Sequence, residues 1–168
     1  MLILRPTLEL AKTLKLGELP DIPQPTQPLA DWYVRGFRVR RATYLIFTET
    51  LSLYSLIVPR RGITTAAKLR QAFAALVHEE FKHPTLGNEP ATCILRLMAD
   101  CRIARGRDRR VLGSVTDLGW NAECYLERGD SIPATIAHVN QAPMGHLQMD
   151  DPASKLVELL ADKTNSFR

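Results

Sequence analysis

Cysteine is scarce in this chain of 168 residues: Cys93, Cys101 and Cys124 are the only three. Three thiols are too few, and odd in number, for a disulfide framework, so they read as reduced thiols in a reducing compartment. Long apolar runs are missing too. None approaches the ~18 residues needed to span a bilayer, and the start, Met1-Leu2-Ile3-Leu4-Arg5-Pro6, lacks the basic and apolar regions of a secretory signal. The expectation is a soluble cytoplasmic protein with no membrane partner. Metal motifs are absent as well. His78, His83, His138 and His146 show no HxxxH or HExxH spacing, and the cysteines form no CxxC. Neither metal nor cofactor is expected. Nor is there a GxSxG elbow, a P-loop or a GxGxxG fingerprint.

What the chain has is an ordinary globular composition, 45% hydrophobic and 24% charged, with net charge +4 and pI ≈ 9.1. That length and that apolar fraction suit one domain with its own core, spanning residues 1–168. The basic residues are clustered. Arg35, Arg38, Arg40 and Arg41 lie together, then Arg60 and Arg61, then Arg102, Arg105, Arg107, Arg109 and Arg110. Acidic residues gather late, at Asp150, Asp151, Glu158 and Asp162.

Periodicity supplies the elements. A strand at Leu2–Leu4 leads into a helix capped by Thr7, striped by Leu8, Leu10, Ala11 and Leu14 and ended by Gly17. Residues 18–30 form a surface loop, with four prolines between Pro20 and Pro28. Three strands rich in aromatic and β-branched residues follow, at Trp32–Arg40, Thr43–Thr48 and Leu53–Val58. Short turns at Arg41-Ala42 and Glu49–Ser52 make them an antiparallel meander. Helices follow in the second half. One is capped by Thr64 or Thr65, carries Leu69, Phe73, Leu76, Val77 and Phe81, and stops at Pro84. A second is capped by Asn88 and striped by Ile94, Leu97, Met98 and Cys101. A third opens at Ser114, runs along Leu118, Ala122, Tyr125 and Leu126, and ends at Gly129. A last one covers Pro152–Asp162, while 132–147 reads either way. The expected fold class is α+β: an antiparallel meander of about three to five strands packed against several helices.

Two constellations carry chemistry. In the first, the run from Arg107 to Asp117 brings a basic strand end into a Gly113-Ser114 helix start. Helix N-termini present free N–H groups and partial positive charge, and arginines reinforce them with bidentate hydrogen bonds. The simpler account is a cap, since Ser114 and Asp117 have capping-box spacing. The second is the meander itself, where arginines alternate with aromatics. An open sheet face of that kind can grip phosphates and stack bases; the plainer reading is a solvated charged face, with Tyr33 and Phe37 buried.

Several short patterns recur along the chain in order. Thr7 and Leu10 come first, then Asp31-Trp32-Tyr33 with Phe37, then Arg41 with Tyr44, Phe47 and Thr48. Leu53-Tyr54-Ser55 follows, then Arg109 with Val111-Leu112-Gly113-Ser114 and Asp117, and finally Asn140 with Pro143-Met144. With these the chain resembles an uncharacterised bacterial family, a domain of unknown function, over nearly its whole length. The resemblance implies no established activity. The chain departs from the family pattern at Arg110, Val115 and Thr116, where the pattern has Ser, Met and Asn.

Three functional expectations result. The first is a non-enzymatic protein binding an anionic macromolecule such as nucleic acid, or a protein partner, through Arg38, Arg40, Arg41, Arg105, Arg107, Arg109 and Arg110. The second is an enzyme acting on a phosphorylated or nucleotide substrate. In it Arg109 neutralises phosphate, the Gly113 and Ser114 amides cradle it, and Asp117 is the general base. The third is a structural subunit or inhibitor of a larger complex, docked through the Pro-rich loop.

Overall fold

The computed structural model describes residues 1–81 and 89–165. Its first strand, β1 (Leu2–Pro6), is buried at every position, as a strand covered on both faces must be. Thr7 then caps helix α1 (Leu8–Thr13), its hydroxyl accepting from the Leu10 amide. The helix stops four residues before Gly17: Lys15 already adopts a left-handed conformation, φ 53°, and Gly17 follows at φ 70°. Residues 14–30 contain no helix or strand.

The three expected strands are present as β2 (Asp31–Val39), β3 (Ala42–Glu49) and β4 (Ser55–Pro59). They pair antiparallel, Val39 with Ala42 across the first turn and Thr48 with Ser55 beside the second. The sheet is larger than this meander, and mixed. Its order is β4-β3-β2-β1-β5, with β1 parallel both to β2 and to β5 (Cys101–Ile103). The expectation of an antiparallel sheet is corrected at this point. The 24 residues between β1 and β2 are ample for the crossover a parallel pair needs. Strand β5 went unrecognised because three residues carry no period. Cys101 accordingly lies on a strand rather than on a helical stripe.

Helices α2 (Ala66–Glu80) and α3 (Glu89–Leu97) cover one face of the sheet with α1 and α6 (Pro152–Asn165). There Trp32 and Phe47 each meet the Phe73 ring at 5.0 Å. Thr65 caps α2, and Leu69, Phe73, Leu76 and Val77 are buried as their spacing requires. The expected stop at Pro84, the cap at Asn88 and the side chain of His83 lie outside the described residues. Helices α4 (Arg109–Arg128) and α5 (Ile132–Asn140) cover the other face. Val111, Val115, Leu118 and Ala122 pack there against Tyr33, Phe37 and Ile46. Both faces are therefore closed. The fold is α+β, but Tyr33 and Phe37 are interior, and no open aromatic face is offered by the meander.

Two buried polar side chains fix the ends of the meander. The Glu49 carboxylate accepts from the Leu29, Leu51 and Ser52 amides and the Ser52 hydroxyl. It thereby holds two turns in which Leu29 (φ 66°) and Leu53 (φ 60°) are left-handed, conformations that cost a leucine on the order of 1 kcal/mol or more. Burial pushes this carboxyl above its ordinary range even so. Asn140, on α5, acts like a short piece of strand beside β4. Its Oδ1 accepts from the Ser55 amide at 2.7 Å, and its Nδ2 donates to the Ser55 carbonyl at 2.8 Å and the Ile136 carbonyl at 3.0 Å. Asn140→Ala leaves the buried Ser55 amide and carbonyl without these partners. It is expected to cost about 2–4 kcal/mol in urea unfolding; a loss under about 0.5 kcal/mol would show that water replaces the amide.

Candidate functional site

Helix α4 begins one turn earlier than its glycine suggests. The Asp108 carboxylate accepts from the Arg110 amide (2.8 Å) and the Val111 amide (3.2 Å), and so is the cap. Ser114 is not at the helix start, and the correction removes the anion cradle expected there. The Gly113 and Ser114 amides lie in the second turn, where helix amides bond to carbonyls four residues back. The Ser114 hydroxyl donates to the Arg110 carbonyl at 3.2 Å and lies 3.3 Å from His146 Nδ1. Asp117 stands exposed on the outer face. The signal for the earlier start was in the sequence: Val111 continues the stripe of Val115, Leu118 and Ala122, and Asp108 precedes it. Arginines on both sides hid that aspartate.

The seven candidate arginines are all exposed, but they do not form one surface. Arg38, Arg40 and Arg41 sit at the β2–β3 turn, beside the carboxyl end of α4. Arg38 Nε donates to the Arg40 carbonyl, and Arg40 Nη2 donates to the Glu127 carbonyl, both at 3.1 Å. A cation at that helix end satisfies an orphan carbonyl, so Arg40, braced by Arg38, has a structural use. Arg105, Arg107, Arg109 and Arg110 gather with Arg102 at the opposite end. Twenty residues at about 1.5 Å each separate the two groups by about 30 Å.

Within the second group Arg102 pairs with Asp100 and Arg107 with Asp21, both at 2.8 Å and both solvent-exposed. Such pairs stabilise little. Arg105, Arg109 and Arg110 make no ion pair among the described residues. Arg109 and Arg110 also occupy the first turn of a long helix, where the backbone is already positive and cations are disfavoured. The outcome is a local concentration of uncompensated positive charge.

A buried polar network holds this segment in place. Arg5 is 3% exposed, and each of its three guanidinium nitrogens is hydrogen-bonded. Nε donates to Asp31 Oδ1 at 2.7 Å, Nη1 to the Arg105 carbonyl at 2.7 Å, and Nη2 to the Ile22 and Pro23 carbonyls at 2.9 and 3.3 Å. Asp31 Oδ2 accepts in turn from the Thr50 hydroxyl. Burial, outweighing Arg5, lifts the Asp31 carboxyl above the usual range. Beside them the Tyr33 hydroxyl accepts from the Arg107 and Asp108 amides, and burial raises the phenol's pKa. Gly106 lets the chain cross that ring, because a Cβ there would sit 2.6 Å from Tyr33 Cε1. Arg5 and Tyr33 form the base of a cleft of about 250 Å³ rimmed by Asp21, Arg107 and Asp108. Sequence reasoning missed these groups, although a charge inside the apolar run Leu-Ile-Leu-Arg-Pro was a visible sign.

One further residue went unnoticed. Trp120 is 59% exposed, whereas Trp32, the other tryptophan, is fully buried. Eleven residues at about 100° each return Trp120 to within about 20° of Arg109 on the α4 surface, about 16 Å along it. Between them Gly113 adds no side chain. Among the described residues no group of three or more His, Cys, Asp or Glu is placed to hold a metal ion, and no helix is long and apolar enough to cross a membrane.

The model of a family described as a domain of unknown function, DUF6933, matches residues 3–155. The chain belongs to this family. No curated protein matches it. For this DUF6933 member the family-like residues fall largely on structural duties. Ser55 and Asn140 bond to each other, Thr7 caps α1, and Tyr33 anchors the arginine segment.

Replacing Arg5 by Met tests the network. It strands the Asp31 carboxylate and three carbonyls, so a loss of about 3–5 kcal/mol is expected in denaturant unfolding. A loss below about 1 kcal/mol would show the pair to be dispensable.

Proposed function

We propose that this DUF6933 protein is a non-enzymatic binding protein for single-stranded nucleic acid, held by the arginines of residues 102–110 and the outer face of α4. The observation that carries the reading is an exposed indole aligned on one helix face with Arg109, beside an arginine segment short of carboxylate partners. Arginines bind backbone phosphates, and an aromatic ring exposed nearby stacks a base without regard to its identity. A single strand suits this arrangement better than a duplex, whose bases are already stacked. The distant trio of Arg38, Arg40 and Arg41 plays no part. Asp117, on the same outer face, opposes a polyanion and is no base in this account. An enzyme at Arg109–Asp117 has less to recommend it, because the amides meant to cradle phosphate are engaged within α4.

The test is titration of the protein with oligo(dT), followed by tryptophan fluorescence and anisotropy at three salt concentrations. Quenching is expected, since only Trp120 is accessible, with a log–log salt slope of roughly −2 to −3.5 for three to five arginine contacts. Trp120→Ala should weaken binding by about 1–3 kcal/mol. Asp117→Asn should strengthen it by about 1.5- to 5-fold through removal of one surface repulsion. No binding at low salt, or affinity indifferent to salt, would defeat the proposal and turn attention to a protein partner.

A further inference from the structure

β1 and β5 are parallel neighbours, yet the chain leaves their carboxyl ends in opposite directions. From β1 it passes through Thr7 into α1, whose Leu10, with Leu14 at the helix end, joins the Trp32 face of the sheet. From β5 it passes through residues 104–108 into α4, whose Val111 and Val115 join the Tyr33 face. Adjacent parallel strands with diverging connections leave a crevice at their carboxyl ends, and open sheets of parallel strands bind small molecules at such points. The crevice is present here. A cavity of about 490 Å³ opens between α1 and the start of α4, a volume typical of small-molecule sites.

Its lining is selective in two ways. The wall is apolar, built by Pro6, Leu8, Ala11, Leu16, Leu19 and Leu112. Leu8 lies 66% exposed at its lip, a large apolar side chain that the core does not use. Lys12, Lys15 and Arg105 line the same cavity against a single acid, Glu18, and these three cations make no ion pair among the described residues.

We infer that this crevice is a binding site for a small amphiphile: one aliphatic chain with an anionic head. The chain lies along the leucine wall, and the head is neutralised by Lys12, Lys15 and Arg105. A neutral or cationic head of the same length loses that attraction, and a cationic one is repelled three to one. The site is separate from the nucleic-acid surface proposed above and shares only Arg105 with it.

Isothermal titration with decanoate, decyl phosphate, decanol and decyltrimethylammonium, all below their micelle concentrations, tests this directly. Either anion should bind with Kd on the order of tens of micromolar, which is reasonable for a ligand of about a dozen heavy atoms. The alcohol and the ammonium should bind at least about tenfold more weakly. The ranking of carboxylate against phosphate identifies the preferred head. Leu8→Glu and Lys12→Glu should each weaken decanoate binding about tenfold or more while circular dichroism stays unchanged. Glu at position 8 suits the first turn of a helix, so α1 should still form. Neither Leu8 nor Lys12 is among the residues assigned to oligo(dT), whose binding is read separately by Trp120 quenching. Equal binding of all four compounds, anion binding indifferent to both variants, or no binding of either anion would each overturn the inference.

Discussion

A single buried guanidinium organises the end of the molecule where the arginine segment meets the sheet. Arg5 reaches from β1 to a carboxylate on β2, to two carbonyls of the proline-rich loop and to the carbonyl of Arg105. Burying a cation is costly unless its nitrogens are hydrogen-bonded and a counter-charge is close. Arg5 meets both conditions, and lysine, with one compact ammonium, has no fork with which to do so. That cost, once met, ties together three stretches of chain that share no secondary structure. It also explains how a segment holding five arginines is kept in one place, since like charges alone would drive it apart.

The same network decides which arginines matter. At the β2–β3 turn Arg40 binds the carboxyl end of α4 and Arg38 binds the Arg40 carbonyl, which is helix termination. Those before and within the first turn of α4 are pinned through their backbone, by Arg5 and Tyr33, so that their side chains remain exposed. Structure thus divides one sequence feature, an abundance of arginine, into a terminating group and a presented group. The divergence of chain after β1 and β5 adds a crevice beside the presented group, so the two proposed binding surfaces arise from one corner of the sheet.

Much of the fold was legible because it is periodic. The alternation in residues 31–59 marked three strands to within about two residues, and the spacing of Leu69, Phe73, Leu76 and Val77 marked α2. Strand β5 and the parallel pairing of β1 were not legible. The first is too short to show a period, and the second depends on contacts between residues 28 to 99 positions apart. The site was harder still. Gly113 reads as a helix boundary, yet it lies inside α4 because Asp108 caps five residues earlier. Arg5 lies just beyond the strand expected at Leu2–Leu4, and only packing shows that it is the clasp. Trp120 falls on the outer helix face, where composition gives no reason to expect an aromatic.

Amide hydrogen exchange in the Arg5→Lys variant, read at Arg105, Arg107 and Asp108, decides whether the Arg5 guanidinium holds this segment. Those amides bond to the Pro20 carbonyl and the Tyr33 hydroxyl, and the account predicts that they lose protection while the β2–β3 ladder and the middle of α4 keep theirs. Unchanged exchange at the three amides, or a uniform rise across the whole chain, would contradict it and make Arg5 an ordinary core contact.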